Sequence, residues 1–288
     1  MEIIKAVIET GKKLNNRFIG HDVGARSAQM TYYWILAFFP FLILIITILS
    51  YTTIAEEQFI HYLEQAIPST IMPLIKDTIA HLVQYRSASL VSFGAIASIW
   101  SASAAVDVMV RGMYRAYSGT DTRAFIVKKI VSIMYTFILL ILIAGMIGLL
   151  VFGHKIGEYL LDTLFGNQWI YLPLWDLFRF SLSILVLVSG LYMIYRYIPR
   201  KHIKSANVWP GTIFATIGWY SFSILFSIYV DQFSAYNKMY GSIGGVFILL
   251  IWMYVNSMVL LMGAEINALW QDVQIMRRRK KNAYIRSH

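Results

Sequence analysis

Six runs of apolar residues, each long enough to cross a bilayer, constrain this chain more than any other feature of its 288 residues. A hydrocarbon core about 30 Å thick needs roughly 20 mostly apolar helical residues. Residues 29–51, 88–110, 130–152, 174–195, 206–230 and 243–268 each reach that length. In lipid a spanning segment must bond its own backbone amides, so such runs fold as helices. The expected fold is therefore all-α, a polytopic membrane protein with six transmembrane helices. Composition agrees: 58% of residues are apolar and only 14% charged, an excess that no soluble core of this size needs. The second run is the least apolar, being rich in Ser and Ala. Omitting it would leave an odd number of spans and place basic loops on both sides of the membrane.

Charge then orients the spans. Of the 25 Lys and Arg, 20 lie on the side that holds the N-terminus, the 111–129 and 196–204 loops and the C-terminus. Only Lys76, Arg86, Lys155 and Lys238 lie on the other. Short basic loops resist translocation, so the rich side is expected to be cytoplasmic. The net charge of +10 follows from this topology, and nucleic acid is not an expected partner. Trp169, Tyr171 and Trp175 at the outer boundary, with Trp209 and Trp270 at the inner one, form aromatic belts that fit the same orientation.

The segments between spans carry their own periodicity. In residues 1–20, Ile4, Val7, Ile8, Leu14 and Phe18 share one side of a helix and the lysines the other, which suits a helix on the inner membrane surface. This segment lacks the apolar core and cleavage site of a secretory signal and is expected to be retained. Outside, residues 55–86 repeat apolar positions at helical spacing around Pro68 and Pro73, giving two short amphipathic helices over the outer face. The tail, 271–288, is basic, and its 277–281 run reads as a positive-inside anchor or a contact for anionic lipid. One membrane domain covers residues 1–288.

Polar groups inside the spans are the candidate functional residues, because a charge at bilayer depth is costly unless it meets a partner or water. Asp107 and Arg111 are four apart on the second span and can pair along one face. Asp176 and Arg179, three apart near the outer end of the fourth, can do the same. Glu265 lies about a turn inside the cytoplasmic end of the sixth span, at the depth of Arg26, which makes these two a candidate bridge. Asn256 at mid-span and Tyr32 in the first span extend the polar set. Each pair reads either as a clamp fixing helix register or as a charged gate. Gly94, Ser98, Ser101 and Ala105 share one face of the second span, so neighbours can approach it closely and it is expected to be central. Its serines either pack or line a polar cavity. Pro40 is expected to kink the first span, and Gly241, Gly244 and Gly245 to loosen the start of the sixth.

Several chemistries have no motif here. The sequence holds no G-x-x-x-x-G-K-[ST] for nucleotide phosphates, no H-E-x-x-H and no G-x-S-x-G. Its six histidines are scattered over both sides and there is no cysteine. Asp107 and Asp176 lie near opposite ends of their spans, which argues against paired-aspartate proteolysis. Neither an enzyme, a metal site nor a cofactor is expected.

At several of these residues the chain resembles the YihY/BrkB family of bacterial inner-membrane proteins. Arg26-Ser-Ala-Gln-Met-Thr-Tyr32-Tyr33, continuing to Phe39-Pro40, is similar to the family's first-span motif. Trp100-Ser101-Ala102-Ser103, Asp121-Thr122-Arg123, Tyr195-Arg196, Trp209-Pro210-Gly211, Tyr240-Gly241-Ser242 and Gly263-Ala264-Glu265 resemble later ones. Tyr114 departs from the pattern, since the family commonly has Asn there. The resemblance implies six helices in a bacterial cytoplasmic membrane. Older labels for the family are ribonuclease BN and virulence factor, and the first finds no clustered carboxylates or cytoplasmic domain here to support it.

Two functional expectations follow. The first is a transporter-like protein that moves or admits a small or amphiphilic solute or a lipid through a polar cavity between helices, motivated by the charges at both ends of the bundle. The second is a non-transporting scaffold of the cell envelope, with its charges as clamps and membrane lipids or proteins as partners. A polar funnel reaching Asp107, Arg111 and Glu265 would favour the first, and a dry, filled bundle the second.

Overall fold

A computed structural model describes residues 2–49, 88–119, 121–151, 168–199, 207–232 and 234–286, and every regular element among them is a helix. These are α1 Glu2–Gly20, α2 Val23–Leu49, α3 Ala88–Ala116, α4 Phe125–Val151, α5 Gln168–Tyr197, α6 Trp209–Gln232 and α7 Ser234–Arg286. Among the described residues, α3 to α7 are each long and apolar enough to cross a membrane. The amphipathic helices expected over 55–86 lie outside the described residues.

Helix ends differ from the expected spans for a physical reason. Hydropathy marks where the membrane ends, whereas a helix continues until its backbone is stopped. The second span was bounded at 110, yet α3 runs on through Arg111 to Ala116 and stops at Ser118, which takes a left-handed φ of 54°. There the amide of Gly119 bonds the Tyr114 carbonyl at 2.9 Å and that of Ser118 bonds Arg115 at 2.9 Å, a Schellman-type cap. Likewise α4 starts at Phe125 instead of 130, which brings Lys128 and Lys129 from the expected loop into the helix. The tail is helical too, since α7 runs 53 residues to Arg286, about 80 Å at the usual rise.

Helices α2 to α7 pack in a closed circuit, each on two neighbours in the order α2, α3, α4, α5, α6, α7 and back to α2, with α7 also touching α3. The buried core gathers at one end of this circuit. It combines Val23 and Met30 of α2, Val106, Met109 and Met113 of α3, Leu191, Ile194 and Tyr195 of α5, and Leu261, Ala264 and Ala268 of α7. The same end carries α1 and the outgoing half of α7. We call it the terminal end.

Close helix approach makes that core dense. A Cβ on Gly211 of α6 would lie 2.0 Å from the backbone oxygen of Gly263 on α7, so neither helix has room for a side chain there. The Tyr195 hydroxyl crosses from α5 to donate to the Leu260 carbonyl at 2.7 Å. Half of the apolar window of α3 is buried, against 11–28% for the other four, so α3 is the central helix of the set. By contrast α4 exposes Ile126, Ile130, Met134, Phe137 and Ile141, a lipid-facing side.

Candidate functional site

A two-residue corner builds the most connected polar site. Helix α1 ends at Gly20, Asp22 takes a φ of 54°, and its carbonyl already accepts the Arg26 amide at 2.9 Å as α2 begins. A short polar residue tolerates that left-handed conformation better than most. Arg26 fastens the corner, its Nε donating to the His21 carbonyl at 3.0 Å. The turn lays α1 across the terminal end, so that Arg17 and His21, one helical turn apart, both face α7.

Glu265 of α7 receives them. Its Oε2 lies 3.2 Å from Arg17 Nη1 and its Oε1 2.6 Å from His21 Nδ1, and it is only 2% exposed. An ionised carboxylate can only accept, so with Glu265 charged the imidazole presents an N–H at Nδ1. Arg17 does more than neutralise Glu265. Its Nη1 also donates to the Ala116 carbonyl at 3.0 Å, at the electronegative end of α3, and its Nη2 reaches Asp272 at 2.5 Å, two turns further along α7. One guanidinium thus ties α1, α3 and α7 together. Tyr117 stands next to this group: burial pushes its hydroxyl pKa well up, the Glu265 charge pushes the same way, and Arg196 pulls against them.

The expected bridge from Arg26 to Glu265 is therefore not the one formed. The two do share a level, but the partners are Arg17 of α1, which reads in the sequence as part of a membrane-surface helix, and His21 at the corner just beyond it. Their spacing of four, just before the α2 motif, was the one signal that could have pointed to them.

The other expected pairs form within single helices. Arg111 Nη1 bonds Asp107 Oδ2 on α3, with both side chains partly exposed. Arg179 Nη2 lies 3.0 Å from Asp176 Oδ1 on α5, the arginine being 12% exposed. Tyr32 is exposed, its ring edge against Tyr33 at 5.3 Å between centroids. The serines of α3 bond their own helix, Ser98 to the Gly94 carbonyl at 2.5 Å and Ser103 to the Trp100 carbonyl at 2.7 Å. Of these, Ser98 belongs to the small-residue face of α3, while Ser103 lies off it and also accepts from Lys129 of α4.

A different set of polar atoms has no protein partner. Asn256 donates through Nδ2 to the Trp252 carbonyl at 2.8 Å, but its Oδ1 is buried and accepts nothing. Ser223 Oγ on α6 is buried and equally unpartnered. Helices α6 and α7 run antiparallel here, Gly211 facing Gly263 and Gly218 facing Val259. Ser223 and Asn256 both lie beyond that second contact, on the side away from Gly211 and Gly263. Asn267 Nδ2 is also unpartnered, although its Oδ1 accepts the Gly211 amide at 2.7 Å. Among the described residues no group of three His, Cys, Asp or Glu is placed to hold a metal ion.

The family model described as Virulence factor BrkB matches residues 14–284. The protein belongs to the BrkB family. It is 36% identical over 258 residues to the ribonuclease-like protein YfkH of Bacillus subtilis (strain 168), covering 90% of this chain and 94% of that one. A UPF0761 membrane protein of Psychrobacter sp. (strain PRwf-1) is 24% identical over 262 residues, 88% of this chain but 47% of its own length. Another, from Tolumonas auensis, is 29% identical over 102 residues, 34% of each chain. No solved structure matches. This BrkB-family chain is thus an integral membrane protein of a bacterial family, and the Arg26, Trp100 and Glu265 motifs that suggested the family fall in α2, α3 and α7.

Proposed function

We propose that this BrkB-family protein is transporter-like, moving or admitting a small or amphiphilic solute or a lipid along a polar path between helices. Its setting in this reading is a bacterial cytoplasmic membrane, crossed six times with both termini inside. The side rich in Lys and Arg supports that orientation.

One observation carries the reading. Ser223 Oγ and Asn256 Oδ1 are buried on adjacent helices, both beyond the Gly218–Val259 contact, with no protein partner. A buried polar group left unbonded costs about 1–3 kcal/mol, so a bundle that only needed to pack would place apolar atoms there. A path that holds water or a polar ligand removes that cost. The Glu265 cluster and the dense core then act as the closed terminal end of the path.

Reconstitution into liposomes tests this. Solute flux or lipid scrambling is expected above that of protein-free vesicles, falling to that baseline in folded Ser223→Ala/Asn256→Leu. Rates equal to protein-free vesicles for the unmodified chain would end the reading. The self-bonded Ser98 of α3 and the intrahelical pair of Asp107 and Arg111 favour a second reading, a scaffold with structural charges. A scaffold would keep its envelope phenotype in the same double variant.

A further inference from the structure

We propose that the cleft where α4 packs on α3 binds the headgroup phosphate of an anionic phospholipid. The site stands apart from the transport reading, since a scaffold would hold the same lipid.

Lys129, on the second turn of α4, carries the inference. A lysine near the end of a membrane helix ordinarily extends its ammonium to water. Here the side chain turns to α3, where Nζ donates to Ser103 Oγ at 2.6 Å and to the Trp100 carbonyl at 3.3 Å and sits 3.8 Å from the centre of the Trp100 ring. Those partners hold the cation in place, but none carries a charge to neutralise it. The nearest carboxylate, Asp107, is bonded by Arg111. Lys129 and Arg111 against one aspartate leave the cleft positive.

Donors remain for an anion. Arg111 uses only Nη1 within the protein and its side chain is 41% exposed. Trp100 is 60% exposed. The surroundings select a lipid over a free anion. Phe93, Ile96 and Trp100 line one exposed side of α3, and Ile126 and Ile130 are exposed on α4, so apolar surface for acyl chains adjoins the cations. The Trp100-Ser101-Ala102-Ser103 motif thereby gains a role: its first residue supplies the ring and carbonyl, and its last the hydroxyl, that position Lys129.

Fluorescence quenching in bilayers tests the proposal with the full chain. Brominated phosphatidylglycerol and brominated phosphatidylcholine are compared as quenchers of the Trp100 signal, taken as the difference between the unmodified chain and Trp100→Phe, since the chain has eight tryptophans. The anionic lipid is expected to be preferred by about fivefold per engaged cation, a preference that weakens with added salt. Lys129→Gln/Arg111→Gln should lose it, and Lys129→Arg should keep it. Equal quenching by the two lipids, or a preference unchanged in the double variant, would overturn the site. So would a preference abolished by inorganic phosphate at constant ionic strength, which would assign the cleft to the free anion. Should the double variant not fold, the salt dependence and the Lys129→Arg result on folded protein still decide.

Discussion

The two ends of the α5, α6 and α7 group handle polar residues in opposite ways. At the terminal end Glu265 is fully buried and each of its oxygens has a partner from another helix, with Arg17 extending the tie to α3 and Asp272. Towards the other end Asp176 and Arg179 pair along one helix, and Ser223 and Asn256 have buried atoms that bond nothing. A buried charge becomes a structural joint when partners converge on it from several elements. Ser223 Oγ and Asn256 Oδ1, with no partner on another helix, contribute little to holding helices together. The contrast locates stability at one end and candidate function nearer the other.

The largest effect should come from breaking the joint. Glu265→Ala leaves Arg17 and His21 facing each other without their anion and should cost about 3–5 kcal/mol, read as a fall in thermal stability in detergent. The comparison would break if Asp107→Asn, which removes a partly exposed pair within one helix, cost as much. That change should cost about 0.5 kcal/mol.

Next in size is the helix contact beneath the joint. Gly211→Ala pushes a methyl group against the Gly263 backbone and should destabilise by about 1–3 kcal/mol, measured by the same unfolding assay. A neutral result would mean that α6 and α7 can separate at the terminal end, which would move the closed region elsewhere.

Smaller, and opposite in sign, is the expected effect at mid-depth. Ser223→Ala removes a hydroxyl that bonds nothing and should leave stability unchanged or raise it by up to about 1 kcal/mol. A loss of stability would show that this hydroxyl has a structural partner and would weaken the contrast between the two ends.

The smallest effect belongs to the α3–α4 connection. Arg123 Nε and Nη2 clasp Asp121 at 2.8 and 2.6 Å, and these bonds hold its carboxyl below the usual carboxylate range. Because the folded pKa is depressed, the pair stabilises the fold above the unfolded value and loses that contribution as pH falls through the folded one. The stability difference between the unmodified chain and Asp121→Asn should therefore be constant near neutrality and close in acid. A difference independent of pH would remove the clasp from the account.

Much of this was legible from residue order. Alternation of apolar runs with basic loops predicts the helices, and the i,i+4 and i,i+3 spacings predict the two intrahelical pairs, because both depend on the geometry of a single helix. The missed features all involve a second helix. Lys129 read as a loop residue, since its charge masked the helix start, and its place on Trp100 depends on how α4 meets α3. Arg17 counts only among the inner basic residues and His21 only among the scattered histidines, because nothing local says that a corner at His21 and Asp22 will turn α1 under the bundle. Arg26 was paired with Glu265 on depth alone, and depth does not specify which side chain points where.

By itself the sequence determined that this is a helical membrane protein and which of its charged residues can pair along one helix, because hydropathy and helical period are properties of the chain in order. Only the tertiary structure decided that Glu265 is held by Arg17 and His21, that Gly211 and Gly263 touch, and that Ser223 and Asn256 bury atoms without partners. Those facts depend on corner conformation, crossing and rotation of helices about their axes, which the packing of all six neighbours sets together.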